Sequence, residues 1–123
     1  MSINPYQAYK KTQVATASPG ELLLLLFDGA IRFANQAKHF IEKKDLAAAH
    51  DKLCRAQDIV AELMFSLDRD VGEIADNLYQ LYDYIFNRLV EANVSKDISI
   101  VDECIHFLTD LRDTWRQVVD NVK

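Results

Sequence analysis

Turn-forming residues are scarce: only three glycines and two prolines occur in 123 residues. An all-β sandwich or barrel needs a turn about every ten residues, so that class is excluded. Cysteine is nearly absent as well. Cys54 and Cys104 stand fifty positions apart with no CxxC or CxxH unit, and they read as free thiols of a reducing compartment. No apolar run is longer than Leu22–Phe27, six residues, where a membrane span needs about twenty. The opening stretch MSINPYQAYKKTQ has no apolar core of the signal-peptide kind, so a cytoplasmic location is expected. Positive charge is in deficit: 14 Lys and Arg face 19 Asp and Glu, for a net −5 and an isoelectric point near 5.1. Such a chain lacks the general attraction for phosphate backbones that drives nucleic-acid binding, and anionic membranes are excluded as partners on the same ground. Hydrophobic residues make up 50% and charged ones 27% of the chain, which argues for one folded domain with a core of its own and against disorder.

The apolar spacing is helical throughout. Residues 1–17 are polar and mixed, with Tyr6 and Tyr9 three apart, and form an N-terminal arm or a short helical turn. Ser18-Pro19-Gly20-Glu21 then places Ser at a helix cap, Pro at the first helical position and Glu three residues after the Ser, a capping box. At about 100° per residue Leu23, Leu26, Phe27, Ala30, Ala34, Ala37 and Ile41 form one stripe, and Lys43-Lys44 closes the helix at its negative end. Asp45 caps a second helix over 46–67 with the stripe Leu46, Ala49, Leu53, Ala56, Val60, Leu63, Met64 and Leu67. After Asp68-Arg69-Asp70, a third helix over 71–93 aligns Ile74, Leu78, Leu81, Tyr82, Ile85, Leu89 and Ala92. A turn at 93–97 leads to a fourth over 98–120, with Ile100, Val101, Cys104, Leu108, Leu111, Trp115, Val118 and Val119 in line. Four helices of about 22 residues, each near 33 Å long and joined by short loops, make an all-α, antiparallel up-down-up-down four-helix bundle over residues 18–123.

A bundle helix requires one apolar stripe of about 100°, and this chain has more. Leu22 and Phe33 flank the core stripe of the first helix, and Leu25 lies nearly opposite it among Asp28, Arg32, Asn35 and Gln36. The third helix adds Tyr79 and Phe86 on one flank and Tyr84 on the other, the second adds Ile59 and Phe65, and the fourth adds Ile105. Flanking residues of this kind either widen the core or form lateral patches that mark a partner site, and a groove between helices suits an amphipathic partner helix. Leu22, Leu25, Phe33, Ile59, Tyr79, Tyr84, Phe86 and Ile105 are the candidate partner contacts.

No residue set for catalysis emerges. Di-iron bundles use two inward Glu-x-x-His units; here one unit, Glu103 to His106, points away from the core stripe, so no metal site is expected. His50-Asp51-Lys52-Leu53 resembles a histidine phosphotransfer site with Lys and Leu exchanged and Cys54 in place of Gly, which leaves a phosphotransfer-type signalling bundle as the alternative function. There is no Gly-rich phosphate loop, and no Ser/His/Asp or Cys/His set shares a face. An enzyme is not expected.

Four segments nevertheless carry a resemblance. They are Asn4-Pro5-Tyr6-Gln7-Ala8-Tyr9; Ala17-Ser18-Pro19-Gly20-Glu21-Leu22 running on to Leu25-Leu26-Phe27-Asp28-Gly29-Ala30; Gly72 to Leu78 with Leu81-Tyr82-Asp83-Tyr84, Arg88-Leu89 and Ala92-Asn93; and Trp115-Arg116-Gln117-Val118. Across residues 4–119 the chain resembles the flagellar secretion chaperone family FliS, with the LFDGA and LYDY stretches its most specific features. The resemblance implies a helical bundle that binds the C-terminal segment of newly made flagellin, prevents its premature polymerisation and keeps it competent for the flagellar type III export apparatus. It implies no ATP or cofactor. It also implies that the arm covers part of the groove when no substrate is bound, with Tyr6 and Tyr9 on an apolar patch as an N-terminal cap.

Overall fold

The structure, a computed structural model, describes residues 18–122. Four helices follow one another: α1 (Pro19–Glu42), α2 (Leu46–Ser66), α3 (Glu73–Ser95) and α4 (Ile98–Val122), with a short 3₁₀ turn, Arg69–Val71, before α3. Each helix packs against its neighbour in the chain, and α1 also packs against α4. Connections this short turn each helix back on the last, so the bundle runs up-down-up-down. The expected arm at 1–17, with Tyr6 and Tyr9, lies outside the described residues.

Local chemistry sets the helix ends. The Ser18 hydroxyl accepts from Glu21 N at 3.2 Å and the Asp45 carboxylate from Ala48 N at 3.1 Å. Asp97 accepts from Ser99 N and Oγ at 2.8 and 2.7 Å, and these bonds hold its carboxyl below the usual range. Each satisfies donors that a helix start leaves free. At the end of α1, Lys44 N bonds to Ile41 O and Asp45 N to Phe40 O, a Schellman closure with Lys44 in the left-handed region at φ 61°. Gly72 takes φ 123°, ψ −161°, which side chains avoid, and this lets α3 restart at once, two residues later than the sequence pattern predicts.

The core is the set of stripes read from the sequence. Phe27, Ala30, Ala34 and Ala37 of α1 meet Leu53, Ala56, Val60 and Leu63 of α2, Tyr82, Ile85, Leu89 and Ala92 of α3, and Val101, Cys104 and Leu108 of α4. Tyr82 is buried, its ring 6.4 Å from that of Phe27. At one end of the bundle α1 and α4 approach so closely that a Cβ on Gly20 would stand 2.8 Å from Val119 Cγ2.

Three residues assigned to the stripes are instead exposed: Leu46, Ile74 and Val118. Leu46 and Ile74 sit in the first turns of α2 and α3, and Val118 in the last turns of α4. The apolar period runs on to the ends of the helices, where the described neighbours leave these side chains largely open. A fourth difference concerns Ile59. Read as a lateral partner contact, it is 4% exposed and belongs to the core, packed where Gly29 of α1 makes room for it. Gly29 is buried for the same reason.

Candidate partner-binding surface

Apart from the buried Ile59, the residues singled out from the sequence are spread over all four sides of the bundle. Tyr79 and Phe86 come together on the seam between α2 and α3, where they line a groove of ≈510 Å³ with Ala61, Met64, Phe65 and Leu67 on the α2 side and Asp83 and Asn87 on the α3 side. Among the described residues Phe65 is the most exposed large apolar one, at 92%. It occupies the last turn of α2, which ends one residue later at Ser66, where the Ser66 hydroxyl donates to Leu63 O. Arg69 closes this end of the groove, its guanidinium 4.1 Å from the centre of the Tyr79 ring and its Nε 3.4 Å from Asp76 Oδ1. The groove is therefore an apolar floor with aromatic walls and polar groups at its rim. The α2 wall of this groove is not among the candidate contacts read from the sequence; its signal there is Phe65, a large aromatic outside the stripe of the second helix.

Tyr84 leaves the opposite flank of α3, toward α4. It is 45% exposed. Its hydroxyl donates to Glu103 Oε1 at 3.0 Å, and its ring meets Phe107 edge-on at 5.8 Å. Arg88 Nε donates to the same Glu103 oxygen at 2.8 Å and Nη1 to Glu91 at 2.6 Å. The Arg88 guanidinium and the Tyr84 hydroxyl together hold the Glu103 carboxyl below its usual range. Glu103 is thus committed to joining α3 and α4. His106 faces Asp110 at 3.3 Å on the exposed surface, and among the described residues no group of three metal-ligating side chains exists. Ile105, partly buried against the core, lies three residues after Asp102 and seven before Arg112. Those two pair with Lys38 and Asp28 of α1, so Ile105 belongs to the α1/α4 side. Leu22, Leu25 and Phe33 are each half-buried on α1.

His50 is tied into a chain of contacts across α2 and α3. Lys96 Nζ donates to Asn93 Oδ1 at 2.8 Å, Asn93 Nδ2 to His50 Nδ1 at 2.9 Å, and His50 Nε2 lies 3.5 Å from Cys54 Sγ. Both ring nitrogens are engaged, and Lys52 lies on the other flank of α2, over the Phe33 ring of α1. A free phosphoacceptor imidazole with a lysine beside it is not what the fold presents, and the phosphotransfer alternative finds no support.

The class of protein is a four-helix bundle whose surplus apolar and aromatic side chains form lateral surfaces outside the core. No described helix is long and apolar enough to cross a membrane. The family model described as "Flagellar protein FliS" matches residues 2–122. The chain is 39% identical over 118 residues to the flagellar secretion chaperone FliS of Bacillus subtilis, an alignment covering 96% of this chain and 88% of that protein. It is 36% identical over 114 residues to the FliS of Salmonella typhimurium, covering 91% and 84%. A solved structure titled "Crystal structure of flagellar chaperone from bacteria" shares the fold with a TM-score of 0.79 at 21% identity, over 96% of this chain and 99% of that one. The chain belongs to the flagellar secretion chaperone family FliS.

Proposed function

We propose that this chain is a cytosolic chaperone that holds the C-terminal segment of flagellin along the α2/α3 groove, prevents its premature polymerisation and delivers it to the flagellar type III export apparatus. The observation that carries this reading is the groove itself, with Phe65 standing 92% exposed beside Tyr79 and Phe86 on a soluble-type surface. A segment destined for helical packing presents an amphipathic face, and such a face lies naturally in an apolar groove between helices. Burial of a large side chain contributes about 1.5–3 kcal/mol, so three aromatic anchors offset much of the ordering cost of a disordered partner. Tyr84 and Ile105, on the α3/α4 and α1/α4 sides, contact the segment where it wraps beyond the groove, and Leu22 and Leu25 do so on α1. The arm, through Tyr6 and Tyr9, covers the groove when flagellin is absent.

The reading is tested by calorimetric titration with a C-terminal flagellin peptide. Phe65→Asp and Tyr79→Asp are expected to weaken binding at least about tenfold, or about 1.4 kcal/mol, with the helical circular dichroism unchanged. Full affinity in both variants refutes the groove assignment. Deleting residues 1–15 is expected to tighten binding; unchanged or weaker binding removes the covering role of the arm.

A further inference from the structure

We propose that the outer seam of α1 and α2 around Phe33 is a second docking surface, independent of the flagellin reading, and that it takes an acidic amphipathic helix from a partner protein. Three cations surround one ring here: Arg32, Lys52 and Arg55 lie 5.6, 5.7 and 5.8 Å from the centre of Phe33. Lys52 and Arg55 share a single carboxylate, Asp51, which is 3.1 Å from Arg55 Nε and 4.0 Å from Lys52 Nζ. Arg32 is exposed and has no carboxylate partner among the described residues. In a chain of net charge −5 this is a local reversal of sign. Like charges gathered on one ring repel each other; cation–π attraction at an exposed ring returns only about 0.5–1 kcal/mol per pair. A carboxylate-rich partner supplies the missing opposite charge.

The surrounding surface specifies the partner further. Phe33, half-buried, leaves part of its ring at the surface, and the half-buried Phe40 lies on the same line of α1, seven residues after it, close to two whole helical turns. The seam therefore offers an apolar row flanked by cations on both helices, which matches a helix with an apolar stripe and acidic borders. Asp58 and Glu62 lie further along α2 toward Ser66 and confine the positive stretch to the half of the seam around Phe33 and Phe40. A run of backbone phosphates or an anionic lipid surface would meet those carboxylates and the overall negative charge. The seam lies across α2 from the Phe65–Tyr79–Phe86 groove, so both surfaces can be occupied together.

The probe is a synthetic twenty-residue amphipathic helical peptide with Leu on one face and Glu on its borders, titrated into the isotopically labelled full chain and followed by amide chemical shifts. Shifts are expected around Arg32, Phe33, Lys52 and Arg55. Arg32→Glu, at an exposed position without an ion pair among the described residues, is expected to weaken binding about threefold, and Arg32→Glu combined with Arg55→Glu at least tenfold. Phe65→Asp leaves binding unchanged. The proposal is overturned if the shifts fall in the α2/α3 groove, if Arg32→Glu binds as tightly as the parent, if a Lys-bordered peptide binds equally well, or if phosphatidylglycerol vesicles or duplex DNA bind the seam in preference to the peptide.

Discussion

Gly29 of α1 and Ile59 of α2 fit together by the absence of one atom: a Cβ on Gly29 would stand 3.1 Å from Ile59 Cδ1. That vacancy draws the Ile59 side chain into the core and accounts for a glycine in mid-helix, which costs about 1 kcal/mol relative to alanine. The two positions are therefore coupled. Ile59→Val, which removes Cδ1, is expected to cost about 0.5–1.5 kcal/mol. Gly29→Ala is expected to be more favourable in the Ile59→Val background than in the parent by about 0.5 kcal/mol or more. Urea unfolding of the four proteins in the cycle measures it; strict additivity refutes the packing account.

Lys44 and Lys96 both occupy the left-handed region, at φ 61° and 54°. A side chain there costs about 1–2 kcal/mol, and Lys44 fills the position of the Schellman closure where glycine is preferred. Lys44→Gly is expected to stabilise the protein by about 1 kcal/mol. Lys96→Gly relieves the same strain but removes the ammonium that donates to Asn93 Oδ1 at 2.8 Å, and it is expected to give no gain or a net loss. Equal gains in the two variants, read from urea midpoints at constant slope, argue against a role for the Lys96 ammonium.

Burial pushes the Tyr82 hydroxyl up to about 12 from 10.0, against the pull of the Trp115 indole donor, and pushes the Cys104 thiol up to about 12 from 9.0. In both cases the folded state holds the proton more tightly than the unfolded chain does. The stability this confers is complete below the unfolded values and is lost as pH rises from about 9 toward about 12. The loss amounts to a few kcal/mol. Tyr82→Phe is expected to lose less stability between pH 10 and 12 than the parent does, measured by denaturant unfolding across that window; parallel curves refute the assignment to Tyr82.

The two thiols differ in access. Cys104 is buried with its sulfur toward Ile85 O, whereas Cys54 is partly exposed beside His50. A thiol-exchange reagent at pH 8 is expected to label one thiol in the native protein and the second only on unfolding, and Cys54→Ser removes the native reaction. Two thiols reacting at the same rate in the native state contradict this burial pattern.

The fold was legible because its determinants are local. Ser18, Asp45 and the i, i+3, i+4 spacing of Leu23, Phe27, Ala30, Ala34 and Ala37 act within one or two helical turns, and the structure places these caps and this stripe as the sequence predicts. The errors at Leu46, Ile74 and Val118 share one cause: periodicity tells which way a residue points and says nothing about whether a neighbour stands there. Asp28 makes the same point among polar residues. It looks like a free carboxylate of the LFDGA stretch, yet Arg112, 84 positions away, donates to it at 3.2 Å and ties α4 to α1.

The sequence by itself determined four amphipathic helices, their order, and a surplus of apolar side chains beyond one stripe apiece, because capping and helical period are written in neighbouring residues. Only the tertiary structure decided which of the surplus is covered. Ile59 and Phe65 both lie outside the apolar stripe of α2; one is sealed where Gly29 on another helix lacks a Cβ, and the other projects from the last turn with none of the described residues packed over it. Burial is a property of the pair of surfaces that meet, and that pairing exists only once the helices have packed.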